Sequence, residues 1–105
     1  MGSMEITKGL WLDLQRREIV SQGAVEVLPE MEFRLLALLV ENRGRAVSMA
    51  RIVKLVWHPD GPPAKAAGKN APLFLRALVF RLRSRLDRRA HIQAVSGKGY
   101  RLAGR

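Results

Sequence analysis

The chain has 105 residues, the length of one small domain, and its 48% of apolar residues excludes a disordered basic tail. Lys and Arg number 19 against nine Asp and Glu, a formal net charge of +10 that points to an anionic partner, with nucleic acid the first candidate. Cysteine is absent, which excludes disulfides and thiolate chemistry and fits a reducing cytoplasm.

The N-terminal part is predicted to form short strands. Residues 1–3 precede a second methionine and are typical of residues added for expression, so we assign one domain to residues 4–105. Three leucines alternate with other residues and share one face of a strand: Leu10, Leu12 and Leu14. Two further strands, Glu18–Ser21 and Ala24–Leu28, flank a turn at Gln22-Gly23. We expect a small antiparallel sheet with a packing role.

The first predicted helix is Pro29–Asn42. Proline suits its first turn, Glu30 and Glu32 suit the positive end of the helix dipole, and Gly44 suits the position after its end. Because this acidic first turn would repel phosphate, we interpret the helix as scaffold.

The second predicted helix begins after Ser48, a favourable N-cap, and runs to about Trp57. The proline-rich segment 58–63 ends it. The stretch that follows, to Asn70, is predicted to be an exposed, flexible loop.

The third predicted helix is Leu73–Arg88. Its apolar stripe has spacings of four, three and four residues and faces the core: Leu75, Val79, Leu82 and Leu86. The opposite face and its flanks hold a mixed set: Leu73, Arg76, Ala77, Phe80, Arg81, Arg83, Ser84, Arg85 and Arg88. Two strands, Ile92–Val95 and Tyr100–Leu102, then form a hairpin with its tip at Gly97-Lys98-Gly99.

The positive charge is concentrated at the C-terminal end. Residues 72–105 contain nine of the 19 basic residues and only one acidic residue, Asp87. Segregated charge is typical of a surface that faces a ligand, although arginines can also simply line the solvated face of a helix.

Two helices, a loop, a basic helix and a glycine hairpin are the parts of a winged helix-turn-helix, an α+β fold. Five segments occur in the order of a known family: LPEMEFRLL (28–36), ENRGRAVS (41–48), VW (56–57), LRSRL (82–86) and IQAVSGKGYRL (92–102). Together they resemble the OmpR/PhoB-type winged-helix effector domain of bacterial response regulators. In that family an N-terminal sheet precedes the helices.

The resemblance implies sequence-specific binding of double-stranded DNA, with the third helix in the major groove and hairpin 92–102 as the wing. Arg81 matches an arginine that contacts bases or phosphate, and Arg83 one that contacts phosphate. Trp57 matches a tryptophan that touches the DNA backbone in some members, or it is a core residue that closes its helix. The candidate DNA contacts are Arg51, Trp57, Arg76, Ala77, Phe80, Arg81, Arg83, Ser84, Arg85, Arg88, Lys98 and Arg101.

The positions expected to read bases differ from the family pattern. Arg76 and Leu78 stand where members carry Asp and His, Phe80 replaces a polar or basic residue, and Ser96 replaces the arginine of the wing. The apolar set Leu73, Ala77 and Phe80 is compatible with contacts to thymine methyl groups or with a protein-docking or dimer surface.

Other classes of function find little support in the sequence. His58 and His91 lack metal-site spacing, Ser48 and Ser84 lack a base partner, and no cofactor motif is present, so we predict a protein that is not an enzyme. No apolar run approaches the ~20 residues of a membrane span. The resemblance also implies head-to-tail pairing on DNA and, in the full-length protein, an attached receiver domain.

Overall fold

The computed structural model describes residues 2–58, 60–63 and 66–103. The elements follow in chain order: β1 (Ser3–Thr7), β2 (Leu10–Asp13), β3 (Glu18–Ser21), β4 (Ala24–Val27), α1 (Glu30–Glu41), α2 (Met49–Val56), α3 (Ala71–Leu86), β5 (Ile92–Val95) and β6 (Gly99–Leu102). A 3-10 turn, Gly68–Asn70, leads into α3. This is the predicted α+β winged helix-turn-helix with an N-terminal sheet and a C-terminal hairpin. No helix in the described part of the chain is long and apolar enough to cross a membrane.

The N-terminal sheet is antiparallel, in the order β1-β2-β3-β4. Leu10, Leu12 and Ile19 are buried on its inner face, whereas Trp11 on the outer face stays 43% exposed. The predicted alternation is therefore confirmed for the first two leucines, and the third, Leu14, lies half-buried beyond the end of β2.

The core lies between this sheet, α1 and α3. The predicted stripe of α3 is almost completely buried, and it packs with a set of buried leucines of α1: Leu35, Leu36, Leu38 and Leu39. Leu78 of α3 is buried as well, at 2% exposure. Leu78 therefore adds one residue to the predicted core stripe of α3.

The limits of α3 correct the predicted ones. The helix begins at Ala71, since Pro72 has the fixed φ that a first turn requires. It ends at Leu86, because Asp87 takes a φ of +55° that no α-helix continues, so Arg88 lies outside the helix.

The predicted exposed loop is also corrected. Ala66 is 1% exposed and therefore belongs to the interior, and the 3-10 turn orders the chain just before α3. Residues 59, 64 and 65 lie outside the described residues.

The wing is an antiparallel pair of β5 and β6 with its turn at residues 96–98. Tyr100 pairs with Val47, the residue just before the N-cap of α2, through two hydrogen bonds: Val47 N–H donates to Tyr100 O at 2.7 Å, and Tyr100 N–H to Val47 O at 3.1 Å. This two-sided pairing fixes the wing against the start of α2.

Candidate nucleic-acid interface

The outward face of α3 is built as its sequence predicts. With Leu75, Val79, Leu82 and Leu86 buried, a helical period of 3.6 residues turns the opposite side to solvent. The predicted outward set is exposed: Leu73, Arg76, Ala77, Phe80, Arg81 and Ser84.

Among the arginines of α3, Arg85 forms the closest ion pairs within the protein. Its Nε donates to Glu32 of α1, and its Nη1 donates to Glu26 of β4 at 3.1 Å. Glu32 is only 3% exposed, so this ion pair joins α3 to the interior of the domain. The hydrogen bond to Glu32 raises the pKa of Arg85, although partial burial works in the opposite direction. A DNA contact by Arg85 remains a prediction.

Arg81 is held more loosely. Its Nε lies 3.6 Å from the second carboxylate oxygen of Glu32, and its side chain is 57% exposed. Since this separation exceeds a hydrogen bond, Glu32 attracts the guanidinium without using its donors. Arg81 therefore keeps its hydrogen-bonding capacity for a ligand.

Arg83 and Arg89 stabilise the end of α3. Arg83 donates from Nε and Nη2 to the carbonyl of Ile92, at 3.1 and 2.7 Å, and so links the helix to β5. Arg89 donates to the carbonyls of Leu86 and Arg85, which satisfies acceptors that a helix end leaves open.

Other candidate cations have no side-chain hydrogen bond or ion pair among the described residues: Arg51, Arg76, Arg88 and Lys98. Arg101 bonds across the wing to Gln93 at 2.6 Å. The charge and all the donors of these four side chains are therefore open to a phosphate.

A groove of about 530 Å³ separates the start of α3 from the wing. Arg76 lines it from the helix and Lys98 from the wing, and Ser48 and Tyr100 line it as well. Two cations on opposite walls make this groove suitable for a polyanion.

The candidates on α2 divide into two types. Trp57 is half-buried and packs against the core, which agrees with its interpretation as a residue that closes the helix. Arg51 is exposed one turn after Ser48, whose hydroxyl accepts the Arg51 backbone N–H, as expected of the predicted N-cap.

Glu32 is a residue of the site that was not among the candidates predicted from the sequence. Its place in the first turn of α1 suggested only a favourable dipole contact, whereas the structure buries it against Arg85 and Arg81. A signal was present, because Glu32 stands three and four residues before Leu35 and Leu36, in the same buried stripe.

No group of three His, Asp or Glu side chains in the described chain is placed to hold a metal ion. His58 and His91 are both exposed.

An N-terminal sheet, three helices, a wing and a basic outward face on α3 define a winged-helix domain of the DNA-binding class. The chain belongs to the family of the C-terminal domain of transcriptional regulatory proteins, whose family model matches residues 23–102. The family and fold expected from the sequence are thus confirmed.

Curated relatives agree with this assignment. The sensory transduction protein RegX3 of Mycobacterium tuberculosis is 31% identical over 97 residues, which cover 89% of this chain and 40% of that protein. The transcriptional regulatory protein KdpE of the same species is 29% identical over 99 residues, covering 90% of this chain and 41% of that protein. The chain thus spans about two-fifths of the length of these relatives.

Solved structures share the fold. The DNA-binding domain of Bacillus subtilis CssR has a TM-score of 0.71 and 26% identity, covering 89% of this chain and 98% of that one. The DNA-binding domain of E. coli CpxR has a TM-score of 0.75 at 24% identity, covering 99% and 98%.

Proposed function

We propose that this domain binds double-stranded DNA for a bacterial transcriptional regulator in the cytoplasm, with α3 in the major groove and the β5–β6 hairpin as the wing. The observation that carries the proposal is the groove between α3 and the wing, which has Arg76 on one wall and Lys98 on the other. A major groove about 12 Å wide admits one helix, and the adjacent backbone then meets the wing. The role is binding rather than catalysis.

The proposal extends to the protein that contains this domain. The family resemblance supports a receiver domain in the full-length regulator and head-to-tail pairing of two domains on repeated half-sites. Titration of the domain against a pool of genomic duplex fragments at several salt concentrations tests the basic proposal. Binding that weakens as salt rises is expected, and the absence of duplex binding at low salt would overturn it.

Lys98→Ala should weaken binding to all duplex sequences by a similar factor. Lys98 has no side-chain partner in the described chain, so its loss removes about one phosphate contact and lowers the salt slope by about one. Fluorescence anisotropy against log salt measures this slope. Lys8→Ala removes the same charge from the β1–β2 turn and should leave the slope unchanged; equal effects of both variants would contradict a contact at the wing.

Arg81→Ala should weaken DNA binding about tenfold or more, since a hydrogen bond between charged groups is worth ~1.5–3 kcal/mol. The Arg81 side chain is exposed and its hydrogen-bond donors are free, and the nearby Glu32 carboxylate attracts its guanidinium. The affinity of the wild type and the variant for the same selected duplex gives the ratio. An unchanged affinity, with an unchanged unfolding transition, would remove Arg81 from the interface.

A second candidate function is self-association through α3. Phe80 and Leu73 are 69% and 63% exposed on the outward face, and exposed apolar patches mark interaction sites. Sedimentation of the wild type and of Phe80→Asp separates the two functions. An unchanged mass with lost DNA binding supports the DNA interface, whereas a dimer that Phe80→Asp dissociates while DNA binding persists supports self-association.

A further inference from the structure

Several polar side chains of the outward face of α3 already make hydrogen bonds within the protein. Arg85 is bonded to Glu32 and Glu26, and Arg83 is bonded to the carbonyl of Ile92. The hydroxyl of Ser84 donates to the carbonyl of Phe80, its own helix. These contacts fix the positions of the three side chains and occupy part of their hydrogen-bonding capacity.

The side chains of this face that make no hydrogen bond within the described chain are mostly apolar. Leu73, Ala77 and Phe80 follow at spacings of four and three residues, so they form one stripe along the helix. At 1.5 Å per residue the stripe is about 10 Å long, the rise of roughly three base-pair steps of 3.4 Å. Arg76 is exposed beside the first part of the stripe, and Arg81 next to Phe80.

The positive charges beside this stripe favour DNA as its binding partner. An apolar strip beside the cations Arg76 and Arg81 matches a groove whose edges are phosphates and whose floor carries apolar groups. In the major groove, the C5-methyl group of thymine is the apolar feature that the four standard bases present.

We propose that Leu73, Ala77 and Phe80 select DNA by contacting thymine methyl groups within about three consecutive base pairs, while Arg76 and Arg81 hold the flanking backbone. The inference rests on the proposed DNA-binding function and specifies what α3 reads. Sequence choice then depends mainly on apolar contacts, and hydrogen bonds to base edges contribute less.

Deoxyuridine substitution tests this inference directly, because uracil keeps every hydrogen-bonding group of thymine and lacks only the methyl. Duplexes bound by the domain are first selected from a random pool, and the thymines of the preferred site are then replaced one at a time. We expect about a fourfold loss of affinity at one to three adjacent positions. This fold-change corresponds to the loss of one buried methyl group, at ~0.8 kcal/mol for each buried CH₂-sized group.

Phe80→Ala should remove the uracil effect at one of these positions. The side chain is 69% exposed, so the variant is expected to fold like the wild type, which its unfolding curve checks. Lys98→Ala is the matched control: it lowers affinity but should leave the uracil effect intact.

The possible results distinguish a failure of the thymine contact from a failure of DNA binding itself. Salt-dependent duplex binding that is indifferent to uracil at every position overturns the inference and leaves the proposed function in place. A uracil effect that persists undiminished in Phe80→Ala and in Leu73→Ala also overturns it. The absence of duplex binding overturns the proposed function itself, and a dimer dissociated by Phe80→Asp assigns the stripe to a second copy of the chain.

Discussion

Gly99→Ala is expected to detach the wing and to destabilise the domain by about 3 kcal/mol or more, combining a backbone clash with a strained φ. A Cβ at this position would lie 2.0 Å from the carbonyl oxygen of Val47, 2.9 Å from its carbonyl carbon and 3.0 Å from the Cα of Ser48. These are backbone atoms, and Val47 cannot move away without loss of its two hydrogen bonds to Tyr100. The φ of Gly99, +136°, adds strain for any residue with a side chain.

Gly97→Ala is the matched control within the same hairpin. Its φ of +72° also disfavours a side chain, but an added Cβ would meet no atom within 4 Å, so the cost should be about 1 kcal/mol. Urea unfolding of both variants gives the two free energies. Because the whole domain is stabilised by only ~5–15 kcal/mol, the difference between them is readily measured. Equal costs would show that close packing against Val47 is not what requires Gly99.

Arg85→Met is expected to lower the free energy of unfolding by about 2 kcal/mol. Removing one partner of a fully buried ion pair costs ~3–5 kcal/mol, and the value is reduced here because the Arg85 side chain is about one-third exposed and methionine retains its apolar stem. The variant leaves the Glu32 carboxylate buried, with Arg81 at 3.6 Å as its remaining ion-pair partner among the described residues.

A double-mutant cycle identifies the source of this loss. Glu32→Gln removes the buried charge, so Glu32→Gln with Arg85→Met should be more stable than Arg85→Met alone. Arg76→Met changes the same residue type on an exposed part of α3 and should alter stability by no more than ~0.5 kcal/mol. If Arg76→Met and Arg85→Met cost the same, the Glu32 pair does not stabilise the domain.

Much of the fold could be predicted from the sequence. The strand Glu18–Ser21 and the strand Ile92–Val95 have the predicted limits, and all four predicted members of the α3 stripe are buried, with Leu78 in addition. These features depend on short-range periodicity, which is visible along the chain. The end of α3 was misplaced by two residues, since the positive φ of Asp87 replaces the glycine that would have signalled it.

The candidate site was only partly predictable. The sequence identified α3, the wing and their arginines, but it gave no way to tell Arg85, which is bonded to two carboxylates, from Arg76, which has no partner in the described chain. Glu32 and Glu26 lie 53 and 59 residues from Arg85, and no local pattern predicts a contact at that separation.

The sequence by itself determined the family, the order of the elements and the segregation of positive charge into the last third of the chain, because periodicity, turn residues and composition are local properties. Only the tertiary structure decided which of those charges are paired within the protein and why Gly99 must lack a side chain. Both depend on which distant segments pack together: α1 supplies Glu32 to α3, and the residue before α2 supplies Val47 to the wing.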